Sequence, residues 1–210
     1  MLSSIATVLL LLTPAALAHG IITSPPARSP GTALAAACGA KITTAQKQDN
    51  TSYVEQLTKL ATSSTDYKPA ACNLFLCKGL QFADNAANVQ SWKAGDVVPI
   101  KISMRIPHLG SANVSIVDTK RNKVVGEFLK NWPSGYSPGK TESEIPIEQR
   151  QFNITVPQGL ETTCANAGDC VLQWWWVYDA RPVIIETFES CVDFKVANTG
   201  VSYQGRSFRA

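Results

Sequence analysis

The sequence predicts an all-β fold: an antiparallel β-sandwich with a long insertion of loop and short helix, tied by disulfides. Three observations point there. From Asp96 onward, short runs alternate apolar and polar residues between Gly, Pro and Asn turns, the pattern of half-buried antiparallel strands. Residues 39–78 hold few such runs, and Cys38, Cys72 and Cys77 lie in or at the edge of them. All six cysteines follow an N-terminal segment laid out like a secretory signal, and an even count in a secreted chain implies disulfides.

The elements follow in chain order. Residues 1–18, MLSSIATVLLLLTPAALA, carry an apolar core from Ile5 to Leu12, a helix breaker at Pro14 and small residues at Ala16 and Ala18. That is an apolar h-region followed by an A-x-A cleavage site, although no Lys or Arg precedes it and only the Met1 amino group supplies positive charge. The run is too short to span a bilayer. The reading is a signal peptide cut after Ala18, so that the mature chain starts at His19 and is secreted and extracellular. One domain is expected over 19–197. A polar tail, 198–210, follows without the apolar stretch that a lipid-anchor signal needs.

The first strand leads into the insertion 39–78, where Val54, Leu57, Leu60 and Ala61 suggest a short helix. Long ordered loops on a sandwich are where binding surfaces are built. In VVPIKISMRIPH, Val98, Ile100, Ile102, Met104 and Ile106 share one parity, and Lys101, Ser103 and Arg105 the other. Val114 and Ile116 continue the pattern with Asn113 and Ser115 facing out. Phe152, Ile154 and Val156 repeat it against Gln151, Asn153 and Thr155. The last strand sets Phe188, Val192, Phe194 and Val196 on one face. The run Trp174–Trp175–Trp176 invites a carbohydrate-stacking reading, but alternation buries at least one face of it.

Composition removes several function classes. The net charge is +3 and the basic residues are dispersed, so nucleic acid has no basic stripe to bind. The C-x4-C and C-x5-C spacings do not match structural zinc sites. Cys164 and Cys170 close so short a loop that they pair first; the partners of Cys38, Cys72, Cys77 and Cys191 stay open. Sequons at Asn50, Asn113 and Asn153 suit glycosylation of a secreted chain. No carboxylate pair has a spacing that argues for glycoside hydrolysis. A monomer without a membrane partner is expected.

The chain has only two histidines, His19 and His108. Each alone has a plain explanation: His19 is where a peptidase happens to cut, and His108 shares the parity of an apolar strand face. Together they say more. An N-terminal histidine offers its α-amino nitrogen and its imidazole Nδ1 to one metal ion, and the α-amino pKa near ~7.7–8.0 lets a metal displace the proton. A second imidazole completes a set of nitrogens suited to tetragonal Cu(II), the divalent ion of highest general affinity. Pro107 ends the strand just before His108 and LGS follows, which puts that ring at a strand end.

These residues resemble a known family. HGIITSPPARS is similar to the mature N-terminus of lytic polysaccharide monooxygenases of the chitin-binding type 4 group, VPIKISMRIPHLGSANVSIVD to the strand ending in their second copper histidine, and ETFESCVDFKV to their closing strand. The resemblance runs from His19 to about Val196. It implies an immunoglobulin- or fibronectin III-like β-sandwich with one copper on a flat face, an external electron donor, and O2 or H2O2 as co-substrate. Carried over, His19 supplies its amino group and Nδ1, and His108 its Nε2, while Phe188 packs on the axial side of the copper. Arg28 and Asp193 match structural positions, and Trp176 a core tryptophan. Tyr53, Tyr67 and Phe75, in the insertion that builds much of the family's flat face, become candidates for stacking on the substrate. Chitin is the first substrate expected and cellulose the second.

Two departures stand out. Many members carry Ala two residues before the second histidine, where this chain has Ile106, which crowds the open side of the copper. The acid or amide behind the copper is open among Gln173, Glu186 and Glu189, and both glutamates are equally well read as solvated surface charges. Alternatives to oxidative cleavage are chitin binding without turnover, which Ile106 favours, and copper capture by the same histidines.

Overall fold

The computed structural model describes residues 19–197; the expected signal peptide and the tail 198–210 lie outside them. Among the described residues eight strands form two sheets. The first sheet has the order β1-β3-β6, with β1 at His19–Ser24, β3 at Val97–Ile106 and β6 at Gln151–Thr155. The second has the order β2-β8-β7-β4-β5, from β2 (Gln90–Trp92), β4 (Gly110–Asp118), β5 (Lys123–Tyr136), β7 (Cys170–Ala180) and β8 (Ile184–Val196). All pairings are antiparallel except β2 with β8, which is parallel.

The alternation read from the sequence is the alternation of burial. Val98, Ile100, Ile102 and Met104 of β3 point inward with Ile22 of β1 and meet Leu172, Trp174 and Trp176 of β7 and Phe188, Val192 and Phe194 of β8. Residues two apart on a strand share a face, so one apolar parity per strand suffices to fill the space between sheets. The tryptophan run divides accordingly: Trp174 and Trp176 are fully buried, and Trp175 faces outward. Trp174 Nε1 donates to Tyr136 Oη (3.0 Å), and Tyr136 Oη donates to the Gln149 carbonyl (3.0 Å), so both polar ends of these buried rings are satisfied.

The insertion is more helical than the sequence suggested. The expected helix is present as α3 (Val54–Ala61), but α1 (Thr32–Cys38) and α2 (Ala40–Gln48) precede it. Their small, alanine-rich faces give no periodic pattern of large residues, which is why they were not legible. Leu34, Ile42, Val54, Leu57, Leu74 and Leu80 make a second, smaller core. Cys38–Cys72 closes it, Cys77–Cys191 fastens it to β8, and Cys164–Cys170 forms as expected. Arg28 adds a buried fork, donating to both Asp193 oxygens (2.8 and 2.7 Å) and to the Leu80 carbonyl (2.8 Å), the bidentate geometry that suits guanidinium to carboxylate. No helix among the described residues is long and apolar enough to cross a membrane.

Candidate metal centre

The two histidines come together where the small sheet ends. In the β1–β3 ladder His19 stands opposite Ile106, two residues before His108, so antiparallel pairing brings the start of one strand beside the end of the other. Gly20 follows His19 for a packing reason: a Cβ there would lie 2.5 Å from Trp174 Cη2. The His-Gly pair thus lets the strand start press onto the core tryptophan.

Each imidazole is oriented by one carboxylate, on different ring nitrogens. His19 Nε2 lies 2.7 Å from Asp49 Oδ2. Asp49 sits in the loop between α2 and α3, where burial raises its pKa, but hydrogen bonds from the Thr51 side chain and backbone and the charges of His19 and Lys78 outweigh that and hold it below the ordinary range. His108 Nδ1 lies 2.8 Å from Glu186 Oε2, and the Tyr178 ring packs against its imidazole at 4.7 Å. With Nδ1 of His108 held by the carboxylate, a metal would be met by Nε2. With Nε2 of His19 held, a metal would be met by Nδ1, the ring nitrogen nearest the main-chain nitrogen. Such outer carboxylates fix ring orientation and raise ligand basicity.

Around this pair, Phe188 is fully buried and stacks on Trp176 at 4.4 Å, with Tyr53 edge-on at 6.2 Å. Tyr53 is held neutral to higher pH, first by burial and then by the charges of Glu186 and Glu55. Glu55 anchors α3 to β8 by accepting from the Thr187 backbone (2.8 Å) and hydroxyl (2.7 Å). Arg105 reaches over the loop to Thr51 (3.2 Å).

Several expectations need correcting. Both glutamates are buried, at 2% and 1% exposure, so neither is a solvated surface charge. Strand parity separates them. Glu186 shares the inward face of Phe188 and reaches His108, whereas Glu189 points outward beneath the insertion. There it accepts from the backbone N–H of Lys78 (3.2 Å) and from Gln173 Nε2 (3.3 Å). Of the three aromatic candidates, Tyr53 alone joins the histidines' surroundings. Tyr67 belongs to the insertion's own core, donating to the Cys72 carbonyl (2.9 Å). Phe75 lies against Trp175 on the outer face of the large sheet (6.4 Å). Both line a hollow beside α3 with Thr58, Ala61 and Leu74, in a loop whose Cys72 is bridged to Cys38 at the end of α1.

Asp49 and Tyr178 were missed. Nothing in the loop sequence marks Asp49. Tyr178, however, continues the inward parity of Trp174 and Trp176, and that parity carried to the strand end would have found it.

The chain is similar to known proteins. The family described as lytic polysaccharide mono-oxygenase, cellulose-degrading, matches residues 19–194. Among solved structures, an AA10 lytic polysaccharide monooxygenase from Streptomyces lividans is 13% identical, covering 59% of this chain and 74% of that one with a TM-score of 0.35. A cellulose-active polysaccharide monooxygenase from M. thermophila is 11% identical over 52% of this chain and 54% of that one, TM-score 0.33. An AA15 lytic polysaccharide monooxygenase from Thermobia domestica is 16% identical over 85% and 99%, TM-score 0.39. No curated protein matches the chain. The family match covers most of the sequence, begins at His19 and takes in both histidines: the chain belongs to the lytic polysaccharide mono-oxygenases, copper-dependent oxidoreductases that act on polysaccharide.

Proposed function

We propose that the protein is secreted, that cleavage after Ala18 creates its metal ligand, and that the freed His19 amine, His19 Nδ1 and His108 Nε2 hold one copper for oxidative cleavage of chitin. The observation that carries this is the pinning of the only two imidazoles by Asp49 and Glu186 on opposite ring nitrogens. The third donor in this reading is the His19 α-amine, which cleavage after Ala18 would expose beside Nδ1 of the same residue.

Bound copper supplies one-electron redox chemistry which, with an external reductant and O2 or H2O2, oxidises a sugar C–H bond. The protein's own part is positional. Glu186 fixes His108, Asp49 fixes His19, and Phe188 gives the metal an apolar neighbour backed by Trp176. Leu109 and Val183, 59% and 87% exposed, flank His108 and the β7–β8 turn and offer aliphatic contact to the acetamido methyl groups that distinguish chitin. Of the three aromatic candidates read from the sequence, Tyr53 is the one left at the site to meet a sugar ring, with Tyr178 on the His108 imidazole beside it. Cellulose is the second substrate, favoured by the description of the matching family.

The test is Cu(II) titration of correctly processed protein, read by electron paramagnetic resonance. A tetragonal signal from nitrogen ligands at one equivalent is expected, lost in His108→Ala and in protein carrying one extra residue before His19. An unchanged signal in either variant would sink the assignment. Oxidised oligosaccharides released from chitin but not cellulose after adding reductant would settle the substrate.

A further inference from the structure

The outer face of the large sheet carries a groove of about 300 Å³ that the insertion leaves open. Its floor is Trp175, its walls Phe75 and Phe128, and its polar groups include Asn113, Asn122 and Gln173. Phe75 and Phe128 are 41% and 47% exposed. The mixture of open aromatic rings and amides suits a sugar: pyranose C–H bonds lie on the negative face of an aromatic ring while amides take its hydroxyl and acetamido groups.

Asn113 decides what the cover is. It is the asparagine of the sequon Asn113-Val114-Ser115, and in the β4–β7 ladder it stands directly opposite Trp175. Side chains so paired are ~4.5–5.5 Å apart at Cβ, so a sugar on Asn113 Nδ2 starts beside the indole. Asn153 differs. It is exposed on β6 opposite Pro99, with no aromatic floor.

We propose that an N-linked glycan on Asn113 folds down into this groove, its first N-acetylglucosamine seated on Trp175 between Phe75 and Phe128. In forming the link, Asn113 Nδ2 attacks the anomeric carbon of an oligosaccharide carried on a lipid diphosphate. The C–O bond to the diphosphate breaks, the diphosphate leaves with the electron pair, and the amide nitrogen gives up one proton. The proposal rests on the secretion reading above, since the donor is met only on that route.

The test is expression of the full chain in a secreting eukaryotic host. It is followed by site-resolved mass spectrometry and timed release of each glycan from native protein by an endoglycosidase that cuts between the first two sugars. Asn113 is expected to be occupied and released more slowly than Asn153, about tenfold if the seat is worth ~1.4 kcal/mol. Trp175→Ala should bring the two rates together; Phe75→Ala, at an exposed wall, repeats the test if the first variant folds poorly. Occupied Asn153 with bare Asn113 would overturn the proposal and leave secretion standing, as would equal release rates in the unmutated protein. Bare Asn113 with soluble N-acetylglucosamine oligomers quenching Trp175 would make the groove a seat for external glycan instead. A chain retained in the cell with all three sequons bare would overturn secretion and the proposal together.

Discussion

The two halves of the histidine pair are held by different parts of the molecule. His108 lies at the end of β3, and its carboxylate, Glu186, is on β8 within the sandwich, with a side chain only 3% exposed. His19 lies at the start of β1, and its carboxylate, Asp49, comes from the insertion with a side chain 31% exposed. One half is built from strands with a packed core behind them, the other from a loop whose position depends on helices and disulfides. A buried carboxylate in a low-dielectric setting holds its partner more firmly than one screened by water. The site therefore has a rigid side and an adjustable side, joined where Cys77–Cys191 ties the insertion to β8.

Breaking that tie should have the largest effect. The bridge spans 114 residues and Cys164–Cys170 only 6. By loop-closure entropy, Cys77→Ala with Cys191→Ala should cost about 5 kcal/mol, and Cys164→Ala with Cys170→Ala about 2 kcal/mol. Equilibrium urea unfolding measures both. Equal losses would mean that the insertion is held to the sandwich mainly by Arg28–Asp193 and apolar contact.

The carboxylates themselves sharpen the comparison. Glu186→Gln should weaken copper binding by about 10–100-fold, the usual range for an outer partner of a metal-bound histidine. Asp49→Asn should weaken it by no more than about fivefold, because a partly exposed pair is worth at most ~1 kcal/mol. Competition with a chelator of known affinity gives both numbers. If Asp49→Asn proved the more damaging, the insertion would be the rigid side and the assignment of roles would reverse.

The same division explains what could be read from the sequence. The sandwich was legible because its parity is strict. Ile100, Ile102 and Met104 alternate with Lys101 and Ser103, and burial follows them. Parity also held the answer for Glu186 against Glu189, since an even step from Phe188 points inward and an odd one outward. The insertion followed no such rule. Its α1, TALAAAC, packs through small residues, and Asp49 reaches His19 only because two helices and a disulfide set the loop's position. Tyr67 and Phe75 lie away from the histidines for the same reason: a loop's direction is fixed by long-range contacts that spacing does not encode.

A pH-dependent effect lies under the adjustable side, at Lys78 and Glu189. Lys78 is buried and its ammonium donates to the carbonyls of Asn50 and Ser52, supporting the loop that carries Asp49. Burial pulls its pKa down to about 8, against the charges of Glu189 and Asp49. Burial likewise pushes Glu189 up to about 8, aided by Glu55 and opposed by the Lys78 backbone bond and charge. A carboxyl raised above its unfolded value near 4.5 contributes stability that is whole below that pH and is lost as pH rises through about 8. A lysine lowered from 10.5 contributes stability that is whole above that value and is lost as pH falls through about 8. The two slopes oppose each other, so the pair destabilises the fold most near pH 8. Glu189→Gln should remove the decline between about pH 4.5 and 8 and leave the rise from about 8 toward 10.5, as read from urea midpoints across both ranges. A decline that survives in the variant would place its origin elsewhere, and the loop beneath His19 would then not be tuned by this pair.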